Sequence, residues 1–294
     1  MKNIAVKLPA YLCLAGAMGI AGSSVVVAKI IACRLPVFLS CACSLAVAVA
    51  FLLPLSLKRG KGFPKLPSRA LVFLGLQALT GLFLFRVALF YGLRIASALE
   101  AGVMVSTLPA ITALLALFIL GESLTWRKAT GIALAVAGLC CLNLPGAAAN
   151  GGRHPGAVFL ILGAVTGEAL FTVLQKKVPQ NVPPVTATAL ISLIGLLLFL
   201  PGAVYEAVRF DFGSLAPSDL LYTAYYGLIV TALAYILFIA GAKKVPAGTA
   251  GMFCGLMPVA GALLSWAVLG ESFGLGSALG LSLVLPGILL VESL

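Results

Sequence analysis

Charged side chains are scarce in this chain, and their scarcity excludes a soluble globular protein. Only 9% of the 294 residues are Asp, Glu, Lys or Arg, whereas 62% are hydrophobic and the mean hydropathy is +1.18. A soluble domain usually carries about a quarter of charged residues. Almost every uncharged run is instead about 18–23 residues long, the length that a helix needs to cross a bilayer. The composition predicts an integral membrane protein.

Residue patterns typical of enzymes are missing as well. The chain has one histidine, His154, and neither a Walker-type phosphate loop nor the GxSxG motif of a serine hydrolase. No carboxylate pair is spaced for acid–base chemistry, and no cluster of metal ligands is readable. His154 follows a glycine-rich linker, where a solvated side chain is the simplest interpretation. We expect no enzymatic activity, no cofactor and no metal.

The seven cysteines and the net charge of +11 both fit a membrane protein. Every cysteine lies within or at the end of an apolar run, where it behaves as a small hydrophobic residue, so no disulfide framework is predicted. Membrane proteins concentrate Lys and Arg in their cytoplasmic loops. This bias explains the basic composition and argues against nucleic-acid binding.

The apolar runs predict ten transmembrane helices. Helices 1 to 5 are expected at about residues 8–31, 36–57, 70–90, 97–120 and 126–144, and helices 6 to 10 at about residues 155–174, 184–205, 219–241, 247–269 and 274–291. Thirteen of the 19 Lys and Arg residues then lie on the side of the N-terminus, five of them in the loop between helices 2 and 3. Both termini are therefore expected in the cytoplasm.

The chain contains an internal duplication. The tetrapeptide LGES occurs at residues 120–123 and again at 269–272, eleven residues after Pro109 and Pro258 respectively. Aligning residues 93–142 with 242–291 without a gap gives fifteen identities in fifty positions. Chance would supply roughly five, and similarity at a fixed period indicates a structural repeat. The predicted repeats are residues 1–147 and 148–294.

Five helices per repeat place the two halves in opposite orientations. The predicted fold is therefore an all-α integral membrane protein of ten transmembrane helices, built as two inverted five-helix repeats around a central cavity. Two similar halves that rock against each other can open the cavity to either side in turn, which is alternating access. A secondary transporter is the function that this architecture favours.

The paired prolines are the first candidates for the cavity wall. Pro109 and Pro258 occupy matching places near the middle of helices 4 and 9, where proline removes an amide donor and kinks the helix. Backbone groups freed in a bilayer must face protein or a wet cavity. The prolines therefore either border a substrate cavity or only curve their helices, and the sequence leaves both interpretations open.

Two charged residues inside predicted helices are further candidates. Glu168 lies about twelve residues into helix 6, hence roughly 18 Å deep at 1.5 Å per residue. Desolvation there would favour the protonated carboxyl group, which makes Glu168 the candidate for proton coupling or cation binding. A structural hydrogen bond to a facing helix is the alternative. Arg86, late in helix 3, can either extend toward the membrane surface or hold a substrate carboxylate.

The remaining cavity candidates are aromatic or small side chains on helices 1, 4, 6, 8 and 9. Tyr222, Tyr225 and Tyr226 lie near a helix end and are assigned to an interfacial aromatic belt. Deeper positions provide the other candidates: Ser23, Ser24, Met104, Ser106, Phe171, Tyr235, Phe253 and Trp266.

Several motifs resemble the EamA family of the drug/metabolite transporter superfamily. In the second half they are GLIVTALAYILF at 227–238, VPA at 245–247, LMPV at 256–259 and LGES at 269–272. In the first half they are FYGLRIASA at 90–98, STLP at 106–109 and LGES at 120–123. The resemblance implies ten helices, cytoplasmic termini, a cavity bordered by helices 1, 3, 4, 6, 8 and 9, and export or exchange of small metabolites such as amino acids.

The expected protein is thus a multi-pass protein of a bacterial inner (cytoplasmic) membrane. Its expected partners are a small-molecule substrate, the lipid bilayer and, as a candidate coupling ion, the proton; a monomer or a weak homodimer is expected. Three alternatives stay open from the sequence: a passive channel, a structural membrane subunit, and an importer or exchanger of a nucleotide-type metabolite such as S-adenosylmethionine.

Overall fold

A computed structural model describes residues 2–59, 66–95, 107–123, 125–142, 155–257, 259–260, 282–283 and 286. Within these ranges the chain is helical and contains no strand. The helices are α1 (Lys2–Arg34), α2 (Val37–Arg59), α3 (residues 68–95), α4 (Leu108–Leu120), α5 (Trp126–Leu142), α6 (Pro155–Leu174), α7 (Pro184–Ala207), α8 (Pro217–Ala242) and α9 (Ala247–Cys254). They correspond to predicted helices 1 to 9.

Five of these helices are long and apolar enough to cross a membrane: Val37–Leu57, Ser68–Gly92, Val158–Lys177, Pro184–Ala207 and Pro217–Ala242. The all-helical class predicted from composition is confirmed. Predicted helix 10 lies almost wholly outside the described residues, as does the proposed boundary between repeats at residue 147. That boundary stays a prediction.

Helices α3 and α8 each change from α to π geometry and back. In α3 the segments are Ser68–Gln77, a π-helix at Ala78–Leu84, and Phe85–Ile95; in α8 they are Pro217–Tyr225, a π-helix at Tyr226–Leu233, and Ala234–Ala242. Adding the 149-residue period of the duplication to the first π segment gives residues 227–233, which lie within the second. π segments are rare and frequently occur at functional sites. The duplication therefore extends to the backbone of both helices.

Contacts between the halves also repeat. A Cβ atom added to Gly92 on α3 would lie 2.7 Å from Cγ1 of Ile161 on α6, and one added to Gly241 on α8 would lie 2.7 Å from Cγ of Leu14 on α1. Gly241 is the 149-residue counterpart of Gly92. Ile161 follows Leu14 by 147 residues, the offset that also relates Gly16 to Gly163. Exchanging the halves thus exchanges these two contacts, as a two-fold axis requires.

The two halves are interlocked rather than side by side. Helix α1 packs mainly against α8, α6 against α3, and α2 against α7. Glycines permit the close approach: Gly81 on α3 lies against the Phe171 side chain of α6, and Gly227 on α8 lies against the Ser44 carbonyl oxygen of α2. Each half therefore buries its apolar surface largely against the other half.

The LGES turn after α4 connects the halves at one end of the bundle. Gly121 ends α4 with φ 68°, a left-handed conformation in which glycine avoids the strain of a side chain. Oε1 of Glu122 then accepts from the Ala247 amide at 2.8 Å, and Oε2 accepts from the Gly248 amide at 3.3 Å. These are the first amides of α9, which have no partner within their own helix. The motif thus ends one helix and caps another.

Lys243 lies at the same end of the bundle, after α8. Its Nζ donates to the carbonyl oxygens of Pro179, Gln180 and Val182 in the α6–α7 connection. Burial lowers the pKa of this lysine from its ordinary value. The connections α4–α5, α6–α7 and α8–α9 therefore share one end.

Two polar contacts lie at the opposite end. Nε of Arg34, after which α1 ends, forms an ion pair with Oδ1 of the buried Asp219 at 3.1 Å. The Leu39 amide, in the first turn of α2, donates to Oε2 of Glu206 at 2.8 Å. Both contacts join an element of the first half to one of the second. The connections are grouped as the charge count predicts, and the cytoplasmic assignment of the termini stays a prediction.

Candidate functional site

Arg86 is at the centre of a polar cluster buried between the halves. It is the second residue after the π segment of α3, and its side chain is only 3% exposed. Nη2 donates to Oγ1 of Thr231 at 3.1 Å, and the guanidinium lies over the Tyr226 ring with its Cζ 5.0 Å from the ring centroid. Nη1 is buried and has no hydrogen-bond partner within the described part of the chain. One donor group of a charged side chain is therefore unsatisfied.

Thr231 fixes Arg86 in this position. It lies in the π segment of α8 and is fully buried. Its hydroxyl donates to the Tyr226 carbonyl oxygen at 2.9 Å, so that its oxygen is free to accept from Arg86. Because both bonds involve the π segment, the geometry of α8 determines the orientation of a guanidinium that comes from the other half.

Glu168 approaches the same cluster from α6. Its carboxyl group interacts electrostatically with Arg86, Tyr235 and the Cys254 thiol of α9. Glu168 and Arg86 do not form an ion pair. Within the described part of the chain, the only ion pair with an N···O distance of 4.0 Å or less joins Arg34 and Asp219. Glu168 is also only partly buried. The two side chains interact electrostatically, but their charged atoms are more than 4.0 Å apart.

Tyr235 and Phe171 form the aromatic side of the cluster. Tyr235 interacts electrostatically with both Arg86 and Glu168. The Phe171 ring meets the Tyr235 ring edge to face, with centroids 5.4 Å apart, and also contacts Phe238 at 5.9 Å. Phe171 is 2% exposed and is a packing residue, whereas Tyr235 is partly exposed. Tyr235 therefore presents a polar group to the cluster, and Phe171 supports it.

The serine pair of α1 extends the cluster. Ser23 and Ser24 donate to carbonyl oxygens one turn earlier in α1, and the Ser23 hydroxyl also bonds the Tyr225 hydroxyl at 2.7 Å. Ser24 is within reach of the Tyr226 hydroxyl. Ser24 is therefore close to the tyrosine that lies under Arg86, and Ser23 bonds the tyrosine before it.

Phe253 packs against α1, and Pro109 lies at the start of α4. The Phe253 ring stacks on Tyr11 at 5.5 Å and joins α9 to α1. Pro109 is buried in the first turn of the described helix α4. Proline is tolerated there because the first amides of a helix have no intrahelical acceptor. Because residues 97–106 of predicted helix 4 lie outside the described residues, its position near the middle of that span stays a prediction. The other four candidates, Met104, Ser106, Pro258 and Trp266, lie outside the described residues.

Two members of the cluster were missed by sequence reasoning. Tyr226, assigned to an interfacial belt, is the first residue of the π segment in α8, and its ring lies instead against the Arg86 guanidinium of α3. Thr231 carries no charge and was not considered. The 149-residue period offered a signal, since it pairs Arg86 with Tyr235 and Gln77 with Tyr226, and so places polar side chains at matching points of α3 and α8.

A separate groove lies between α3 and α6. It has a volume of about 620 Å³ and a mostly apolar lining that includes Thr80, Phe159, Thr166 and Leu170. These α6 residues belong to the face opposite Glu168, given the 3.6-residue helical period. The groove therefore does not include the charged cluster.

A charged cluster enclosed by apolar helices is typical of membrane transport proteins. Comparison with known proteins identifies the transporter family. The model of the EamA-like transporter family matches residues 8–144 and 155–293. The chain therefore belongs to the EamA-like transporter family, and it is a membrane-spanning transporter. The resemblance read from the LGES and proline motifs is confirmed, and so is the expected ten-helix transporter fold.

Individual relatives agree with this assignment. The uncharacterized transporter YetK of Bacillus subtilis (strain 168) is 40% identical over 285 residues, covering 96% of this chain and 86% of that protein. A probable terminal-alkyne amino-acid exporter of Streptantibioticus cattleyicolor is 23% identical over 251 residues, covering 85% and 80%. A protein crystal structure superposes with a TM-score of 0.78 at 20% identity, covering 96% of each chain, which shows a shared fold.

Proposed function

We propose that the protein is a secondary active transporter that exports or exchanges a small polar metabolite, such as an amino acid or a derivative, by alternating access. The observation that carries the proposal is the cluster of Arg86, Thr231, Tyr235 and Glu168, because it brings opposite charges together at the interface of two inverted repeats. Transporters of inverted-repeat architecture bind their substrates at this interface. Charged groups among apolar helices otherwise have a high desolvation cost.

The helix packing supports a specific form of alternating access. Because α1 packs on α8 and α6 packs on α3, each closely packed helix pair contains one helix from each half. The moving units are then such mixed pairs, and the halves do not rock as separate bodies. Arg86 on α3 and Thr231 on α8 belong to different pairs, so their hydrogen bond would form or break as the units move.

Glu168 is the proposed coupling residue. A carboxyl group close to Arg86 but not paired with it can bind a proton or a cationic group of the substrate as conditions change. The amino-acid exporter named above is a distant relative of this chain, and it makes amino acids a reasonable first class to test. We place the protein in a bacterial cytoplasmic membrane with both termini inside, as a monomer or weak homodimer.

Counterflow in proteoliposomes tests the transport mechanism. Vesicles are loaded with an unlabelled amino acid, and uptake of the same labelled amino acid is measured against vesicles without the internal load. An alternating-access carrier is expected to show faster uptake with the internal load. Equal uptake rates in both would indicate a channel, and uptake no faster than in protein-free vesicles across the common amino acids would contradict the proposal.

A further inference from the structure

We propose that Nη1 of Arg86 is the binding position for a carboxylate group of the substrate, and hence that the transported molecules are compact carboxylates such as amino acids. This inference rests on the transport function proposed above. It adds to that function a specific atom of the protein and the substrate group that the atom recognises.

The unsatisfied Nη1 is the first observation. Arg86 is 3% exposed, Nη2 donates to Thr231, and Nη1 has no hydrogen-bond partner among the residues that the structure describes. A buried donor without a partner is costly, and more so when it is charged. Such a group in a transporter interior is expected to gain its partner from the substrate.

The chemistry of the free group identifies the class of partner. A guanidinium nitrogen is always a donor and never an acceptor, so only an acceptor can satisfy it. Bonds from a guanidinium to a carboxylate carry opposite charges on donor and acceptor and are frequently bidentate, which adds both energy and geometric specificity. In apolar surroundings this difference favours a carboxylate over an amide or hydroxyl group of the same size.

The surroundings of Arg86 favour a small ligand that carries both charges. Thr231 and the Tyr226 ring fix the orientation of the guanidinium, so that Nη1 is presented in a defined direction. Glu168 lies near Arg86 without an ion pair. A zwitterion can therefore place its carboxylate at Arg86 and its ammonium group toward Glu168, which would leave no unpaired charge in the occupied site.

Matched ligand pairs test the inference on the intact protein. Thermal unfolding of the purified protein is measured with each common L-amino acid and with its amide, for example L-leucine and L-leucinamide. We expect at least one amino acid to raise the melting temperature, because it binds only the folded state, and its amide to require a concentration about ten to a hundred times higher. Equal effects of acid and amide, or no effect of any acid, would overturn the inference.

Three substitutions locate the effect at Arg86. Arg86→Gln is expected to abolish the discrimination between acid and amide, and Arg86→Lys to reduce it while keeping the charge. Arg69→Gln is the matched control, because Arg69 is exposed at the start of the same helix, over Phe73. If Arg86→Gln does not fold, the inference is tested by Arg86→Lys and by the acid and amide pairs on the wild-type protein. Unchanged discrimination in Arg86→Lys and Arg86→Gln would contradict the inference.

Failure of this inference can be distinguished from failure of the transport proposal. Counterflow of an amino acid that persists unchanged in Arg86→Gln would leave the carrier mechanism standing and remove the carboxylate position. Acid-selective binding that depends on Arg86, without counterflow of the bound acid, would keep the binding position and contradict the carrier mechanism.

Discussion

Arg86 and Tyr235 occupy equivalent positions in the two repeats, 149 residues apart, and their side chains interact electrostatically in one polar cluster. Each is the second residue after a π segment. Two positions related by a two-fold axis can meet only beside that axis. The charged cluster therefore lies at the pseudo-two-fold axis. Because one repeat has Arg and the other has Tyr at the equivalent position, the site is chemically asymmetric.

The hydrogen bond between Arg86 and Thr231 can be tested at the threonine. Thr231→Val keeps the side-chain shape but leaves Nη2 of Arg86 without its acceptor, so the guanidinium loses its fixed orientation. We expect substrate affinity to fall about tenfold, because a hydrogen bond to a charged group contributes about 1.5–3 kcal/mol. The measurement is the ligand concentration that gives half of the maximal thermal stabilisation. Thr231→Ser retains the hydroxyl and should preserve affinity; equal losses in both variants would argue against a role for the hydroxyl.

Glu168 should determine the pH dependence of transport. Glu168→Gln cannot gain or lose a proton, and the amide remains polar and similar in size. We expect counterflow rates to become independent of pH between about 5 and 8 while substrate binding is retained. Asp211→Asn, at an exposed position in the α7–α8 connection, is the control and should leave the pH profile unchanged. A wild-type pH profile in Glu168→Gln would remove this residue from the coupling mechanism.

The contact between α3 and α6 can be tested with two glycines of the same helix. A Cβ atom at Gly167 would lie 2.6 Å from the carbonyl oxygen of Thr80 in the π segment, whereas one at Gly163 would meet no atom within 4 Å. Gly167→Ala should therefore lower the free energy of unfolding by about 1–3 kcal/mol, a typical cost of overpacking. Gly163→Ala should have little effect in the same thermal unfolding assay. Similar melting temperatures for the two variants would show that α3 adjusts without cost.

The inverted orientation of the halves can be tested at the two LGES turns. Single cysteines at Ser123 and Ser272, in a background without the native cysteines, would be labelled with a membrane-impermeant maleimide on intact cells. The charge count places the first turn in the cytoplasm and the second outside. Ser272→Cys should therefore react before the cells are opened, and Ser123→Cys only afterwards. Reaction of both on the same side would contradict the inverted repeat.

The helices were predictable because hydrophobic length is a strong signal in a membrane protein. The predicted spans agree with α2, α6 and α7 to within a few residues. Composition cannot show a change of helix type. The sequence of one half alone therefore gives no indication of the π segments in α3 and α8. Arg86 and Glu168 were identifiable because charge is rare in such helices.

The partners of Arg86 were less predictable. Thr231 and Tyr226 are ordinary residues in an apolar helix, and their role depends on how the π segment of α8 is rotated toward α3. That rotation is a property of tertiary packing. A position-by-position comparison of the two repeats indicates Tyr226 through its counterpart Gln77, but not Thr231, whose counterpart is Leu82.

The interlocking of the halves has an evolutionary consequence. Arg86 is inherited from one copy of the ancestral unit, and the hydroxyl that holds it is inherited from the other. After duplication, neither copy could change independently of the other. Each copy supplies part of the shared polar cluster and part of the surface against which the other copy packs. The difference between Arg86 and Tyr235 at equivalent positions is a specialisation that two separate copies allow, and a dimer of identical units could not have it.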